Sequence, residues 1–388
     1  MLRPFTTLVL TLFLLVFSGF SVAAQNNGPS LDDIMARQKG QAVQGTADVF
    51  KGAPRMVPNV NGPLGPLGAT SDTELFRAYR AGSADIVSSD SGPTGTVVMQ
   101  DGGMAWLKLR NGPLPTYGGY LLLGMLALIL IFFIFRGKIL IEGKKTGETI
   151  IRFKTLERIA HWLTAIPFIL LGITGLISLF GRIAIIPLIG RETFSSVAIV
   201  GKFIHNYVAW AFMAGIIISF VLWVWDNLPD RTDIPWLLKG GGLFTKGSHP
   251  PAGKFNAGEK IIFWAVIGFG VLISITGISL LFPYQLNMFA PVFEVLNYLQ
   301  IPQLLGMGEL NTALAPQEEM QLAQLWHAII AFIYMAIIIA HIYLGSVGME
   351  GALSSMTNGK VETQWAKEHH SLWYEDMVQK NADKSSEP

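Results

Sequence analysis

The sequence predicts an all-α integral membrane fold: a four-helix transmembrane bundle, one extra transmembrane helix ahead of it, and a small exported domain of α+β or irregular character. Three observations predict it. Of 388 residues, 51% are hydrophobic and only 14% charged, against about a quarter charged in soluble domains. Five apolar runs, near 117–135, 159–180, 207–225, 261–282 and 322–347, are each long enough for the ~20 residues of a spanning helix. Basic residues are also shared unevenly among the connections between those runs, the pattern that sets orientation in a bilayer.

The elements follow in order. Residues 1–24 combine a basic start at Arg3, an apolar core and the small-residue pattern Val22-Ala23-Ala24. They read as a signal peptide cut after Ala24, with an uncleaved anchor as the alternative. Residues 25–116 are rich in Gly, Pro, Ser and Asn and hold no histidine, so they read as an exported domain suited to interaction rather than chemistry. Within it, Ser71-Asp72-Thr73-Glu74 is a capping box opening a short helix to about Arg80. The stretches TVVMQ, DGG and MAWLKLR read as two strands and a tight turn. The extra helix occupies 117–136, a linker 137–155, the bundle 156–347 and a tail 348–388.

The linker region holds Arg136, Lys138, Lys144, Lys145, Arg152, Lys154 and Arg158. The connection 226–260 holds Arg231, Lys239, Lys246, Lys254 and Lys260, while 283–321 has no Lys or Arg. By the positive-inside rule, 136–158, 226–260 and the tail face the cytoplasm. Residues 25–116 then lie on the outer side, in agreement with the signal peptide. This places the chain in a bacterial inner membrane, in contact with lipid. The formal net charge of +1 leaves no footprint for nucleic acid. There is no cysteine, which excludes disulfides, cysteine-ligated iron–sulfur clusters, covalently attached haem and thiol catalysis.

Four histidines fall on the bundle helices. On this topology His205 and His327 lie near the outer face, and His161 and His341 near the inner face. His327 and His341 are fourteen residues apart on one helix, a rise of ~21 Å. Fourteen steps of about 100° fall about 40° short of four turns, so the two share a helix face. Polar residues at membrane depth are costly and mark function. A single histidine of this kind reads equally as a headgroup-level or packing residue. Two levels with two imidazoles each are what two haems b with paired axial histidines require. Copper or zinc would need further carboxylate or thiolate ligands, whereas a porphyrin brings four nitrogens of its own. Ile173-Thr174-Gly175 and Ile275-Thr276-Gly277 open the matching stretches ITGLISLF and ITGISLLF. They read as a weak internal repeat whose glycines admit a close neighbour, a second helix or a porphyrin edge.

In the inner connection, KFNAGEK precedes the third bundle helix. Asn256 offers a hydrogen-bond donor and Gly258 a close backbone approach, which suits a quinone; the plainer reading is a helix cap. His249 reads as a solvated loop residue. His369 and His370 read as surface or subunit-contact residues, with proton uptake as the lesser alternative.

From about Thr155 to Tyr374 the chain resembles the gamma subunit of respiratory formate dehydrogenase, the membrane cytochrome b of that complex. LERIAHW, DNLPDRTDIPWLL, KFNAGEK, WHAIIAFIYMAIIIAHIY and GKVETQWAKEHHSLWY carry the resemblance. It implies that His205/His327 and His161/His341 are the axial pairs of two haems b, and that Asn256 and Gly258 line a site for menaquinone or ubiquinone. It implies catalytic (alpha) and iron–sulfur (beta) partner subunits, an electron-transfer role without formate chemistry in this chain, and compatibility with a higher oligomer of the complex. Glu259 stands where the resemblance expects Gln, and residues 1–150 have no counterpart in short members. The alternatives are the cytochrome b of a hydrogenase or another quinone-linked oxidoreductase, and, in a different class, a non-redox anchor or transporter. Transporters usually break their helices near the midplane, and Pro167 is the main such break here.

Overall fold

The computed structural model describes residues 101–245 and 247–386. The signal segment, the capping-box helix near 71–80, the TVVMQ strand and most of the exported region lie outside the described residues. MAWLKLR is not a strand. It belongs to helix α1, Asp101–Asn111, since Met, Ala, Leu, Lys and Arg are all good helix formers with no β-branched residue among them. Pro113 then opens α2, Pro113–Arg136, which ends on Gly137 at φ 67°. The extra membrane helix therefore starts a few residues earlier than its apolar run.

The bundle consists of α3 (Thr155–Phe180), α5 (Arg191–Trp223), α7 (Ala257–Leu281) and α10 (Pro316–Tyr343), with the short α4 (Ile186–Ile189) between the first two and the short α6 (Asp233–Leu238), α9 (Ile301–Leu304) and α11 (Ala352–Thr357) in the later connections and tail. With α2, these make five helices among the described residues that are long and apolar enough to cross a membrane. Helical geometry satisfies every backbone group internally, as lipid demands. Successive helices are antiparallel: Thr174 of α3 meets His205 of α5, and Thr276 of α7 meets His327 of α10. Ring contacts between Phe168, Phe212, Phe269 and Tyr334 fill the middle of the bundle.

Pro167 does not break α3. Proline deprives the carbonyl four residues earlier of its N–H partner, here that of Leu163. A Cβ on Gly215 of α5 would stand 2.9 Å from that oxygen, so α5 covers the disturbed turn only because Gly215 has no side chain. Helix α2 runs parallel to α10 on its outer side. Gly118 lets it settle on the Phe332 ring, and Phe132 and Phe133 edge onto Tyr343.

The end of the bundle bearing His161 and His341 is covered by the polar segments. Strand β1 (Thr149–Ile151) pairs antiparallel with β2 (Lys360–Glu362), Thr149 opposite Glu362. Val361, Trp365 and Ala366 form a buried cluster with Ile141, Ile150, Met349, Trp373 and Tyr374. The Glu368 carboxylate accepts the backbone N–H groups of Glu142 and Gly143. Linker and tail thus make one cap, continued by α12 (Thr363–His369) and α13 (Ser371–Ser386). The connection at the opposite end carries α8 (Phe289–Tyr298), whose first turn donates N–H groups of Met288, Phe289 and Ala290 to the buried carboxylate of Glu319.

Gly118→Ile would drive a branched side chain into the Phe332 ring. We expect it to lower stability in detergent by about 1–3 kcal/mol, the usual cost of overpacking, read as a fall in the thermal midpoint. An unchanged midpoint would mean that α2 does not rest on α10 at this point.

Candidate functional site

Three helices carry the four bundle histidines, and the structure brings them into two facing pairs. His205 of α5 and His327 of α10 have ring centroids 6.2 Å apart. His161 of α3 and His341 of α10 have centroids 6.3 Å apart. All four rings are half-buried. In the first pair, His205 Nδ1 lies 2.8 Å from Thr174 Oγ1 and His327 Nδ1 lies 2.9 Å from Thr276 Oγ1. Nε2 of each ring is therefore turned away from its threonine. The ring edges also rest on the glycines that follow: a Cβ on Gly175 would meet His205 Cε1 at 3.7 Å, and one on Gly277 would meet His327 Cε1 at 3.4 Å. The close neighbour admitted by each Thr-Gly pair is a histidine ring. In the second pair, His161 Nδ1 is buried with no hydrogen-bond partner among the described residues.

A cavity of about 590 Å³ opens beside the second pair, well within the range of small-molecule sites. It runs from Phe168 and Tyr334 past His161 and His341 to Asn256, Gly258 and Glu259. Asn256 caps α7: its Oδ1 accepts Glu259 N–H at 2.9 Å, while the Glu259 carboxylate accepts Asn256 N–H at 3.0 Å. Both readings of this residue coexist, because the cap uses only Oδ1 and leaves the side-chain N–H₂ without a partner among the described residues. The close approach at Gly258 is made by Trp236, whose ring atom would sit 2.8 Å from a Cβ there.

The sequence pattern offered no hint of the polar wall behind the cavity. Arg152, 3% exposed, grips both oxygens of Glu259 at 2.9 Å and also donates to Lys254 O at 2.8 Å. Glu259, 35% exposed, opens on the cavity. His370, expected at the surface, is instead 1% exposed. Its Nδ1–H donates to Gly253 O at 2.8 Å, and its Nε2 stands 3.8 Å from Glu259. The tail folds back under Trp365, and that long-range closure buries a residue that reads as polar. His249 behaves as a loop residue bound to Glu142 at 3.1 Å, though it too borders the cavity.

A family model for prokaryotic cytochrome b561 matches residues 152–359, a stretch that includes all four bundle histidines. The chain belongs to that family. It is a membrane cytochrome b, an electron-transfer protein, and haem b is the group such a protein carries. Curated relatives agree. The nitrate-inducible formate dehydrogenase cytochrome b556 subunit of Escherichia coli strain K12 is 29% identical over 243 residues, 62% of this chain and 97% of that one. The cytochrome b556(fdo) subunit of formate dehydrogenase from the same strain is 30% identical over 63% of this chain and all of its own length. The formate dehydrogenase cytochrome b556 subunit of Haemophilus influenzae is 30% identical over 59% of this chain and 84% of that one. More than a third of this cytochrome has no counterpart in them.

The histidine geometry fits the group. Two metal–imidazole bonds of about 2 Å, plus roughly 1 Å from each ring nitrogen to its ring centre, put the centroids ~6 Å apart, close to both observed separations. Among the described residues no three His, Asp or Glu side chains cluster as a protein-only metal site would require.

Burial, aided by the nearby Arg152 cation, pushes the His370 imidazole down to about 3 from its ordinary 6.5. Burial does the same to His369, down to about 4, with His249 adding to it. Glu259 opposes the shift at both. A lowered folded-state value means that the unfolded chain takes up protons first as pH falls. The stability of the cap should therefore be full above pH 6.5 and decline progressively below it. We expect the thermal midpoint in detergent to drop between pH 7.5 and 5, and to drop less in His370→Gln, which has no proton to gain. An equal drop in both would place the acid sensitivity elsewhere.

Proposed function

We propose that this chain is the dihaem cytochrome b subunit of a formate dehydrogenase, passing electrons from an iron–sulfur subunit outside the membrane to a quinone near its cytoplasmic side. The observation that carries the reading is the presence of two histidine pairs at matching separation, 6.2 and 6.3 Å, at opposite depths of one bundle. His205 and His327 are assigned to one haem iron, and His161 and His341 to a second. Bound there, haem b supplies reversible one-electron chemistry. Along α10 the two levels are ~21 Å apart, a separation that carries electrons across most of a bilayer core.

The chain's own residues do the rest. The positive-inside pattern supports placing the His205/His327 end outside and the capped end in the cytoplasm. Residues 25–116 would then be periplasmic and the C-terminus cytoplasmic. The formate dehydrogenase relatives support catalytic and iron–sulfur partner subunits, the second delivering electrons at the outer end. The cavity beside His341 suits the quinone, with the free amide of Asn256 positioned to donate to a quinone carbonyl. Two electrons and two protons convert that quinone to its quinol. Glu259, its carboxylate paired with Arg152, and His370 form the polar wall through which protons enter from the cytoplasmic cap. Formate oxidised outside and protons consumed inside would add to the protonmotive force. The chain has no cysteine and so supplies no thiolate for an iron–sulfur cluster; formate chemistry is assigned to the partners.

The test is a dithionite-reduced minus oxidised optical spectrum of the purified chain with haem quantified, comparing wild type, His327→Ala and His341→Ala. We expect two b-type haems per wild-type chain, and each variant to lose a different one. A correctly inserted wild-type chain holding one haem or none would overturn the assignment.

A further inference from the structure

The two histidine pairs are alike in spacing and unlike in what stands behind the rings. Behind His205 and His327 are two threonines from the repeated Thr-Gly pairs, Thr174 on α3 and Thr276 on α7, 5% and 3% exposed. Each belongs to the helix next to the one that carries its histidine. Each pairing therefore occurs within one antiparallel hairpin, α3–α5 or α7–α10, and the two hairpins repeat the device.

The threonine proton decides which way each hydrogen bond runs. A hydroxyl has one proton and two lone pairs. Thr174 Oγ1 lies 2.8 Å from Leu170 O and 3.1 Å from Leu171 O. Thr276 Oγ1 lies 3.0 Å from both Leu272 O and Ile273 O. Carbonyls only accept, so the hydroxyl proton goes to the helix backbone, as is usual for threonine within a helix. The oxygen is then left to accept from imidazole Nδ1–H. That fixes the tautomer with an unprotonated Nε2, the form that binds a metal.

Nothing equivalent stands behind the other pair. Among the described residues, His161 Nδ1 is buried without a partner, and no hydrogen bond reaches the His341 ring. An imidazole that donates Nδ1–H to an acceptor becomes a more basic ligand, and ligand hydrogen bonding is one of the means by which a protein sets a haem potential. A more basic axial pair favours the ferric state.

We propose that Thr174 and Thr276 are positioning residues that lock His205 and His327 into the Nδ1–H tautomer and so lower the reduction potential of the iron those histidines hold. The proposal rests on the assignment of the four histidines as haem ligands. Charges near the two pairs act the other way. Lys202 faces His205 and Glu259 faces His341. Lys202 is exposed and screened by solvent, and Glu259 is neutralised by Arg152 at 2.9 Å. The hydrogen bonds remain as the difference between otherwise matched sites. A lower potential at His205/His327 biases an electron towards His161/His341, the direction of flow from the outer end to the quinone cavity.

The test is optical potentiometry of the full chain in detergent, resolving the two b-type components, for wild type, Thr174→Val, Thr276→Val and the corresponding Thr→Ser variants. Valine keeps the shape and removes the hydroxyl acceptor, leaving only the backbone carbonyls of Leu171 and Ile273 near the two rings, while serine keeps the hydroxyl. We expect each valine variant to raise one component by about a tenfold change in its ferric-to-ferrous ratio, ~59 mV for a one-electron couple. The component that moves should be the one lost in His327→Ala, and the other should stay in place. Serine should hold the wild-type value. If a valine variant fails to retain that haem, a serine variant that retains it at the wild-type potential still supports the proposal. An unmoved midpoint, equal shifts in both components, or serine behaving as valine would overturn it. A wild-type chain with fewer than two b haems would instead overturn the ligand assignment, and would be seen before any threonine variant is compared.

Discussion

An imidazole inside a lipid-facing helix must find a partner, because unpaired polar groups are expensive at membrane depth. Four such rings, on three helices, stand in two facing pairs with centroids 6.2 and 6.3 Å apart; threonines partner the first pair, while His161 Nδ1 has no partner among the described residues. The rest of the bundle serves those two gaps. Antiparallel hairpins set α5 and α10 parallel across the bundle, both packed on α7, so His205 and His327 arrive at one level. Helix α3 runs the other way and delivers His161 to the level of His341. The aromatic centre around Tyr334 lies between the two levels. Cytochrome b561 membership supplies haem b, and the proposal assigns one to each of the two equal separations.

The two ends of the bundle are finished differently. At the His161/His341 end, a strand pair, the Trp365 cluster and the Arg152–Glu259–His370 contacts build a polar cap over a cavity. At the other end, Glu319 draws the first turn of α8 against α10. One end offers a roofed pocket lined by titratable groups, and the other offers threonine-braced histidines. The proposed direction of electron flow rests on this division.

Much of this was legible in the sequence because the relevant signals are local. Five apolar runs gave five spanning helices, and the fourteen-residue step from His327 to His341 gave a shared face through helical periodicity alone. The cap at Asn256 was legible for the same reason, since its partner Glu259 is three residues away. The signals that escaped are lateral or distant. Thr174 and Thr276 stood in a noticed repeat, yet which histidine each meets depends on how neighbouring helices pack. Arg152 and Glu259 are 107 residues apart, Gly143 and Glu368 are 225 apart, and no spacing rule links such positions. His370 looked like a surface residue because burial of the tail is a property of the whole cap. MAWLKLR was misread because its short alternation resembles a strand, while its residue types and the following Pro113 favour a helix.

The most direct measurement is low-temperature electron paramagnetic resonance of the oxidised full chain, with the signals integrated against chain concentration. Paired axial imidazoles on each iron predict two distinct low-spin ferric centres per chain and no high-spin signal. One centre per chain, or an iron in the high-spin form with a ligand position open, would contradict the pairing on which the whole account depends.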